Sequence, residues 1–191
     1  MIVTISGSQG QGKTTLLNAI KDEGYAIQYN TTARSVLHDM GMELSTVYSN
    51  PNLSIKFQNL ILEKQTQIDD EINTRNELCV TERSYADIFT YALFAVGNIN
   101  KYDDWLSEYY IQCVEAQKRY NTVVFLTGRL YSPQDDGVRS TNKHFGESVD
   151  VLVEYYAKKL CADSDIQYRS ISLPDLDMRV ASVQEILRDV K

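Results

Sequence analysis

The sequence predicts an α/β domain built on a five-stranded, mainly parallel sheet. Three observations predict it. Strand-like and helix-like segments alternate along the whole 191-residue chain, the pattern of βα units rather than of a sandwich or bundle. The run Thr122-Val123-Val124-Phe125-Leu126-Thr127 is apolar without alternation, as in a strand covered on both faces. A glycine-rich run lies directly between the first strand-like and the first helix-like segment.

Taken in order, residues 1–6 form a short buried strand, and 15–21 open a helix whose apolar positions can pack on a sheet. Gly24 ends that helix and 25–29 supply the second strand. Thr31-Thr32 cap a helix over 33–40, which Gly41 stops. Residues 43–51 read as loop. A long helix then covers 53–75, with Ile55, Leu60, Ile61, Leu62 and Ile68 on its apolar stripe. The third strand is 77–82 and the next helix 85–96. Gly97-Asn98 breaks the pattern, and Asp103-Asp104 starts a helix reaching residue 120. Strand four is 122–127. Residues 128–145 are polar, irregular and too long for a simple connection, which is the character of a lid. Helix returns over 147–160, strand five is 166–173 and the last helix is 178–190. With no repeat, low-complexity tract or linker, 1–191 is expected to be one domain.

Hydrophobic residues make up 43% and charged residues 24%, so the composition supports a packed core. No run of about 18 apolar residues is present, and Met1 leads straight into the first strand, so neither a membrane span nor a removable leader is expected. The three cysteines (Cys79, Cys113, Cys161) are scattered without metal-ligand spacing and read as buried thiols of a reducing, cytoplasmic compartment. Nineteen basic and 26 acidic residues give a net charge of −7. That argues against broad attraction to nucleic acid, though not against a local basic groove.

Gly7-Ser8-Gln9-Gly10-Gln11-Gly12-Lys13-Thr14 matches GxxxxGK[ST] in the setting that gives the pattern its meaning, between a strand and a helix N-terminus. Backbone N–H groups and the positive end of the helix dipole converge there on one anion. Glycines permit positive φ and let backbone approach phosphate without a Cβ. Lys13 can reach the outer phosphates and the Thr14 hydroxyl can hold Mg²⁺. Residues Gly7 to Thr15 are therefore expected to bind a nucleoside triphosphate, ATP, with Mg²⁺.

Glu82-Arg83-Ser84 closes the third strand, at the carboxyl edge where open α/β sheets bind ligands. If that strand lies beside the first, Glu82 faces the phosphate loop, where it can hold Mg²⁺ or accept a proton. Arg83 can grip a phosphate or orient an acceptor. The plain alternative is an ion pair with Ser84 as a helix cap. In the following helix Tyr85, Phe89, Tyr91 and Phe94 read mainly as core, with one ring available to a base. In the lid segment, Arg129 and Arg139 can neutralise a transferring phosphoryl group, with Asp136-Gly137 supplying a tight turn that aims Arg139 inward.

These clusters, in this order, resemble the P-loop ATPase/kinase family typified by the kinase domain of bacterial nicotinamide riboside kinases, which includes small phage-encoded members. The resemblance rests on Gly7 to Thr15, Ala33-Arg34, the stretch from Phe57-Gln58 to Gln65, Thr81-Glu82-Arg83-Ser84 and above all Asp135-Asp136-Gly137-Val138-Arg139. Glu82-Arg83-Ser84 is also similar to the Glu-Arg-Ser motif of deoxyribonucleoside kinases. The resemblance implies a P-loop NTPase three-layer αβα sandwich. It also implies an ATP/Mg²⁺-dependent kinase of a nucleoside or nucleotide, working in the cytoplasm (a host's, if the chain is phage-encoded). Lys13, Glu82, Arg83, Arg129 and Arg139 would be catalytic, Asn30, Arg34, Arg83 and Asp136 would meet the acceptor, and Thr14 and Glu82 the metal. One departure stands out. The family carries an acid shortly before the arginine matched by Arg34, and this chain has Tyr29-Asn30-Thr31-Thr32-Ala33. An amide is not basic, so either Glu82 takes the proton or the acceptor is a phosphate oxygen that needs no strong base.

Two other readings use the same residues: a kinase of a hydroxymethylated base in DNA, and a non-catalytic NTP-dependent switch. Of the remaining features, Asp69-Asp70-Glu71 reads as a solvated face, His38 as structural and His144 as incidental beside the lid.

Overall fold

In the computed structural model, which describes residues 1–96, 98–128 and 143–190, five strands form one sheet. They are β1 (Ile2–Ser6), β2 (Ala26–Gln28), β3 (Cys79–Glu82), β4 (Thr122–Leu126) and β5 (Gln167–Ile171). Their order is β2-β3-β1-β4-β5 and every neighbouring pair is parallel. The helices are α1 (Lys13–Asp22), α2 (Thr32–Met40), α3 (Leu44–Tyr48), α4 (Pro51–Thr74), α5 (Tyr85–Val96), α6 (Asp103–Gln117), α7 (Lys143–Ser164) and α8 (Leu176–Asp189).

Side-chain alternation along the strands sorts the helices into two layers. Ile2, Cys79, Val123 and Phe125 point into the larger apolar cluster, with residues of α2 to α7. Their neighbours Val3, Ile5, Val80, Val124 and Leu126 point the other way, against Leu16, Leu17 and Ile20 of α1 and Val183 and Leu187 of α8. Burying each such side chain contributes roughly 1.5–3 kcal/mol. Helix α5 is apolar nearly all round because it is enclosed, packing against α4, α6 and α7. The consequence for function is geometric. From the carboxyl edge the chain leaves β1 toward the α1/α8 layer but leaves β3 toward the α5 layer, and a crevice opens between the two exits.

Several local expectations change. Residues 44–48 are helical, and α4 begins at Pro51 rather than 53 because Asn50 caps it, its side chain accepting from the Asn52 and Leu53 amides at 3.0 and 3.4 Å. Helix α7 already begins at Lys143, inside the segment expected to be lid, and runs to Ser164. His38 is no core residue: it is exposed beside Asp39, 3.5 Å away. Asp69 overturns the reading of its charge run as solvated. It is fully buried and accepts hydrogen bonds from Tyr85 Oη (2.6 Å), Tyr120 Oη (2.8 Å) and Gln65 Nε2 (3.0 Å). One helix face decides this: Asp69 falls with Gln58, Ile61, Leu62, Gln65 and Ile72, whereas Asp70 next to it points outward and pairs with Arg119 at 2.8 Å. The three cysteines are buried and free, and burial pushes the Cys79 thiol up to about 11 and Cys161 to about 12, which leaves them unreactive. No helix among the described residues is long and apolar enough to cross a membrane.

Candidate active site

The phosphate loop joins β1 to α1. Gly7 has φ +140°, and a Cβ there would collide with Gln11 Oε1 and approach the Leu126 carbonyl to 3.1 Å. Gly12 sits left-handed at the N-cap of α1 with φ +80°. No side chain caps this helix, so its first N–H groups face the loop's concavity, where an anion is the fitting partner. Lys13 is buried and its Nζ donates to the Gly7 and Ser8 carbonyls, both at 2.7 Å, which holds the ammonium against the loop. Thr14 is exposed at the mouth.

Strand β3 lies beside β1 with Ile5 opposite Glu82, and Glu82 and Arg83 line one cavity with Gln9 and Thr14, whereas Ser84 is buried against Ser6 and Asp87. Arg83 takes φ +73°, a left-handed conformation unusual for a residue with a Cβ. Neighbouring bonds enforce it. Its N–H donates to Ile5 O at 2.9 Å and its carbonyl accepts from Thr4 Oγ1 at 2.8 Å. Buried Asp87, in the first turn of α5, accepts from Ser6 Oγ (2.7 Å), Ser84 N (2.9 Å) and Ser84 Oγ (3.1 Å), tying the end of β1 to this turn. Strain held this firmly is characteristic of functional turns. The Arg83 guanidinium lies 5.7 Å from the Tyr91 ring centre. Burial alone would lower its pKa, but Tyr91, Asp87 and Glu82 outweigh that and raise it, so the cation is secure.

One cavity of about 310 Å³ connects these parts. It is lined by Gln9 and Thr14 of the loop, Asn30 and Arg34 around the start of α2, Tyr48 of α3, Phe57, Gln58 and Ile61 of α4, Glu82 and Arg83, and Ile88 and Tyr91 of α5. Gln58 was not singled out from sequence as a site residue, and it is the most informative lining group. It is 1% exposed, and neither amide atom meets hydrogen-bond geometry with a partner among the described residues, although the Tyr48 hydroxyl lies close enough to feel it. A buried amide whose hydrogen bonds are incompletely made is costly, and on a residue that lines a cavity it fits a ligand with its own donors and acceptors. Asn30 lines the same cavity, but its amide is engaged: Nδ2 donates to Gln65 Oε1 at 2.8 Å and Oδ1 accepts from Thr32 N at 3.2 Å. Of the expected rings, Tyr85 and Phe89 are core and Tyr91 lines the cavity.

Arg179 also escaped the sequence reading. Though on α8, it is 2% exposed, and its guanidinium donates to the carbonyls of Gln11 in the phosphate loop (2.6 Å), Thr127 after β4 (3.4 Å) and Leu173 after β5. No spacing rule links position 179 to position 11.

Arg129, Asp136 and Arg139 lie outside the described residues. Both flanks of that segment converge on the site: Thr127 reaches Arg179, and Asp150 of α7 accepts from Gln11 Nε2 at 3.4 Å. His144 is exposed, 3.7 Å from Glu147. For Mg²⁺ the donors fit, since Thr14 and Glu82 bring hard oxygens to one cavity. No cluster of three or more His, Cys, Asp or Glu exists among the described residues, and Mg²⁺ needs none, because it uses one or two carboxylates with substrate phosphates and water.

A family model described as an AAA domain matches residues 2–173, and the chain belongs to that family. Among solved structures it is similar to the deoxyadenosine kinase of M. mycoides with bound dCTP. That likeness has a TM-score of 0.65 and 15% identity, and it covers 99% of this chain and 100% of that one. It shows the shared α/β fold. No curated protein sequence matches the chain.

Proposed function

We propose that the protein is a kinase that transfers the γ-phosphoryl group of ATP, with Mg²⁺, to a nucleoside or nucleotide. The observation that carries this reading is one continuous cavity lined by Gln9 and Thr14 of the phosphate loop and by Gln58 of α4, with Glu82, Arg83 and Arg34 also among its lining residues. A switch protein needs a phosphate loop but has no use for a second, side-chain-lined pocket opening onto it. The deoxyadenosine kinase relative, whose structure holds dCTP, supports the same class of ligand.

In this reading Gly7 to Thr15 hold the ATP phosphates, with the Lys13 ammonium moving from the loop carbonyls to the outer phosphates. Thr14 and Glu82 would hold Mg²⁺, which when bound supplies charge neutralisation at the phosphates. Phosphoryl transfer is catalysed chiefly by positioning and electrostatic stabilisation. Arg83, fixed by its enforced backbone, supplies positive charge at the acceptor side, and Arg129 and Arg139, on the segment after β4, complete the cationic surround. Asp136 would meet the acceptor. Gln58 and Tyr91 meet the base, and Phe57, Ile61 and Ile88 exclude water beside it. A coupled ADP-release assay over panels of nucleosides and nucleotides tests the reading. Acceptor-dependent release, abolished by Lys13→Ala, is expected; release that no acceptor in the panels stimulates would refute it.

A further inference from the structure

Resting on the kinase reading above, the wall of the cavity also says which atom accepts the phosphoryl group. A sugar hydroxyl must lose a proton as it attacks, so a hydroxyl kinase needs a base within hydrogen-bond reach. The wall that follows β2 has none. Asn30 is an amide, and both its polar atoms are already committed, to Gln65 Oε1 at 2.8 Å and to the Thr32 amide at 3.2 Å. Behind it Gln65 leads to Asp69, but that carboxylate is fully buried, held by two tyrosine hydroxyls, and is not part of the cavity wall. Glu82 is the one carboxylate among the described lining residues, at the end of β3 opposite Ile5 of the strand that leads into the phosphate loop, and in the kinase reading it is the group that would hold the metal.

The charges run the opposite way. Arg34 and Arg83 place two guanidinium groups on the wall against the single Glu82, in a protein whose net charge is −7. A locally cationic pocket in an acidic chain discriminates by charge.

We propose that the acceptor is a nucleoside monophosphate, held through its phosphate by Arg34 and Arg83, and that a phosphate oxygen rather than a hydroxyl attacks. A phosphate monoester has a second pKa of about 6 and is mostly dianionic at neutral pH, so no base is required. One of its oxygens forms a bond to the γ-phosphorus while the bond from that phosphorus to the β–γ bridging oxygen breaks. The electron pair leaves on ADP, no proton is transferred, and the products are ADP and a nucleoside diphosphate.

The test is ADP release by the full chain with Mg-ATP, comparing each ribo- and deoxyribonucleoside monophosphate with its parent nucleoside. The best monophosphate is expected to exceed its nucleoside by at least about 100-fold in kcat/KM, a difference of about 2.8 kcal/mol at 1.4 kcal/mol per decade. Its rate is expected to level above about pH 7, once the acceptor's own second proton is lost. Arg34→Gln is expected to raise the KM for the monophosphate at least about tenfold, with Mg-ATP binding by calorimetry reporting that the phosphate loop is intact. Turnover of nucleosides equal to or better than that of monophosphates overturns this inference and leaves the kinase reading standing. Turnover of neither panel overturns both. An Arg34→Gln protein that binds Mg-ATP and keeps its monophosphate KM removes Arg34 from the phosphate site and overturns the proposal as stated.

Discussion

The two ends of the cavity are built in opposite ways. At the phosphate end, one contiguous stretch, Gly7 to Thr15, does nearly everything with backbone, one ammonium and one hydroxyl. At the acceptor end, α2, α3, α4, β3 and α5 each contribute a few side chains, and no two of the key groups (Asn30, Gln58, Arg83, Tyr91) are near neighbours in sequence. A backbone cradle recognises phosphate generically, because every nucleotide carries the same anion. A pocket of side chains from five elements can be retuned one residue at a time, and in the proposed reading specificity resides there. The contrast predicts that damage at the first end removes activity with any acceptor, while damage at the second changes which acceptor is used.

The largest effect tests the generic end. Lys13→Ala is expected to lower kcat/KM by about 10³-fold or more for every acceptor alike, as loss of a charged group that stabilises the transferring phosphoryl does, without shifting the thermal midpoint downward. A loss confined to some acceptors would break the contrast.

Next, Arg179→Met probes whether the loop is as self-contained as its sequence suggests. The guanidinium bonds carbonyls of three separate connections, and removing it strands buried acceptors at a cost of about 1–3 kcal/mol. Mg-ATP affinity measured by calorimetry is expected to fall about tenfold while the acceptor KM holds. Arg179→Lys should recover little, since a point charge cannot span the fork. Unchanged ATP affinity in a folded Arg179→Met protein would show that the loop stands alone.

At the acceptor end, Gln58→Leu is expected to raise acceptor KM several-fold and leave ATP affinity untouched, because a neutral hydrogen bond contributes about 0.5–1.5 kcal/mol. The same change should slightly stabilise the folded protein, since it removes a buried amide neither of whose atoms meets hydrogen-bond geometry with a described residue. A loss of ATP binding instead would merge the two ends into one.

The smallest effect concerns support behind the pocket. Burial raises the Asp69 pKa, and the bonds from Tyr85, Tyr120 and Gln65 offset this only in part. A carboxyl whose folded pKa exceeds its unfolded one binds more protons when folded. Stability from this group is therefore complete below the ordinary carboxylate range and is lost as pH rises through the higher folded value. Asp69→Asn should flatten that decline, measured as urea midpoints from pH 4 to pH 8. An unaltered slope would assign the decline to other groups.

What was legible in the sequence follows the same division. The order of strands and helices, the phosphate loop and the Glu82-Arg83 turn could be read because each depends on neighbours within about ten residues: periodicity, glycine placement, a strand end. The pairing of β3 with β1 appeared only as a condition, and the sheet order met it. Asp69 was misread because a charge run looks the same whether one of its members turns inward or not; the tyrosines that receive it lie 16 and 51 positions away. Gln58 stood in a stretch noted for resemblance alone, since an amide on a helix gives no sign of whether it faces water or an enclosed cavity.

By itself the sequence determined a loop shaped to take a phosphate, because such a loop needs only local backbone freedom, a helix terminus and one cation in fixed succession. The tertiary structure alone decided what stands opposite that phosphate. It turned Asn30 into a committed strut, left Gln58 facing the cavity and brought Arg34 and Arg83 onto one wall. Those outcomes depend on how α2, α4 and β3 pack, and packing joins residues that the chain keeps apart.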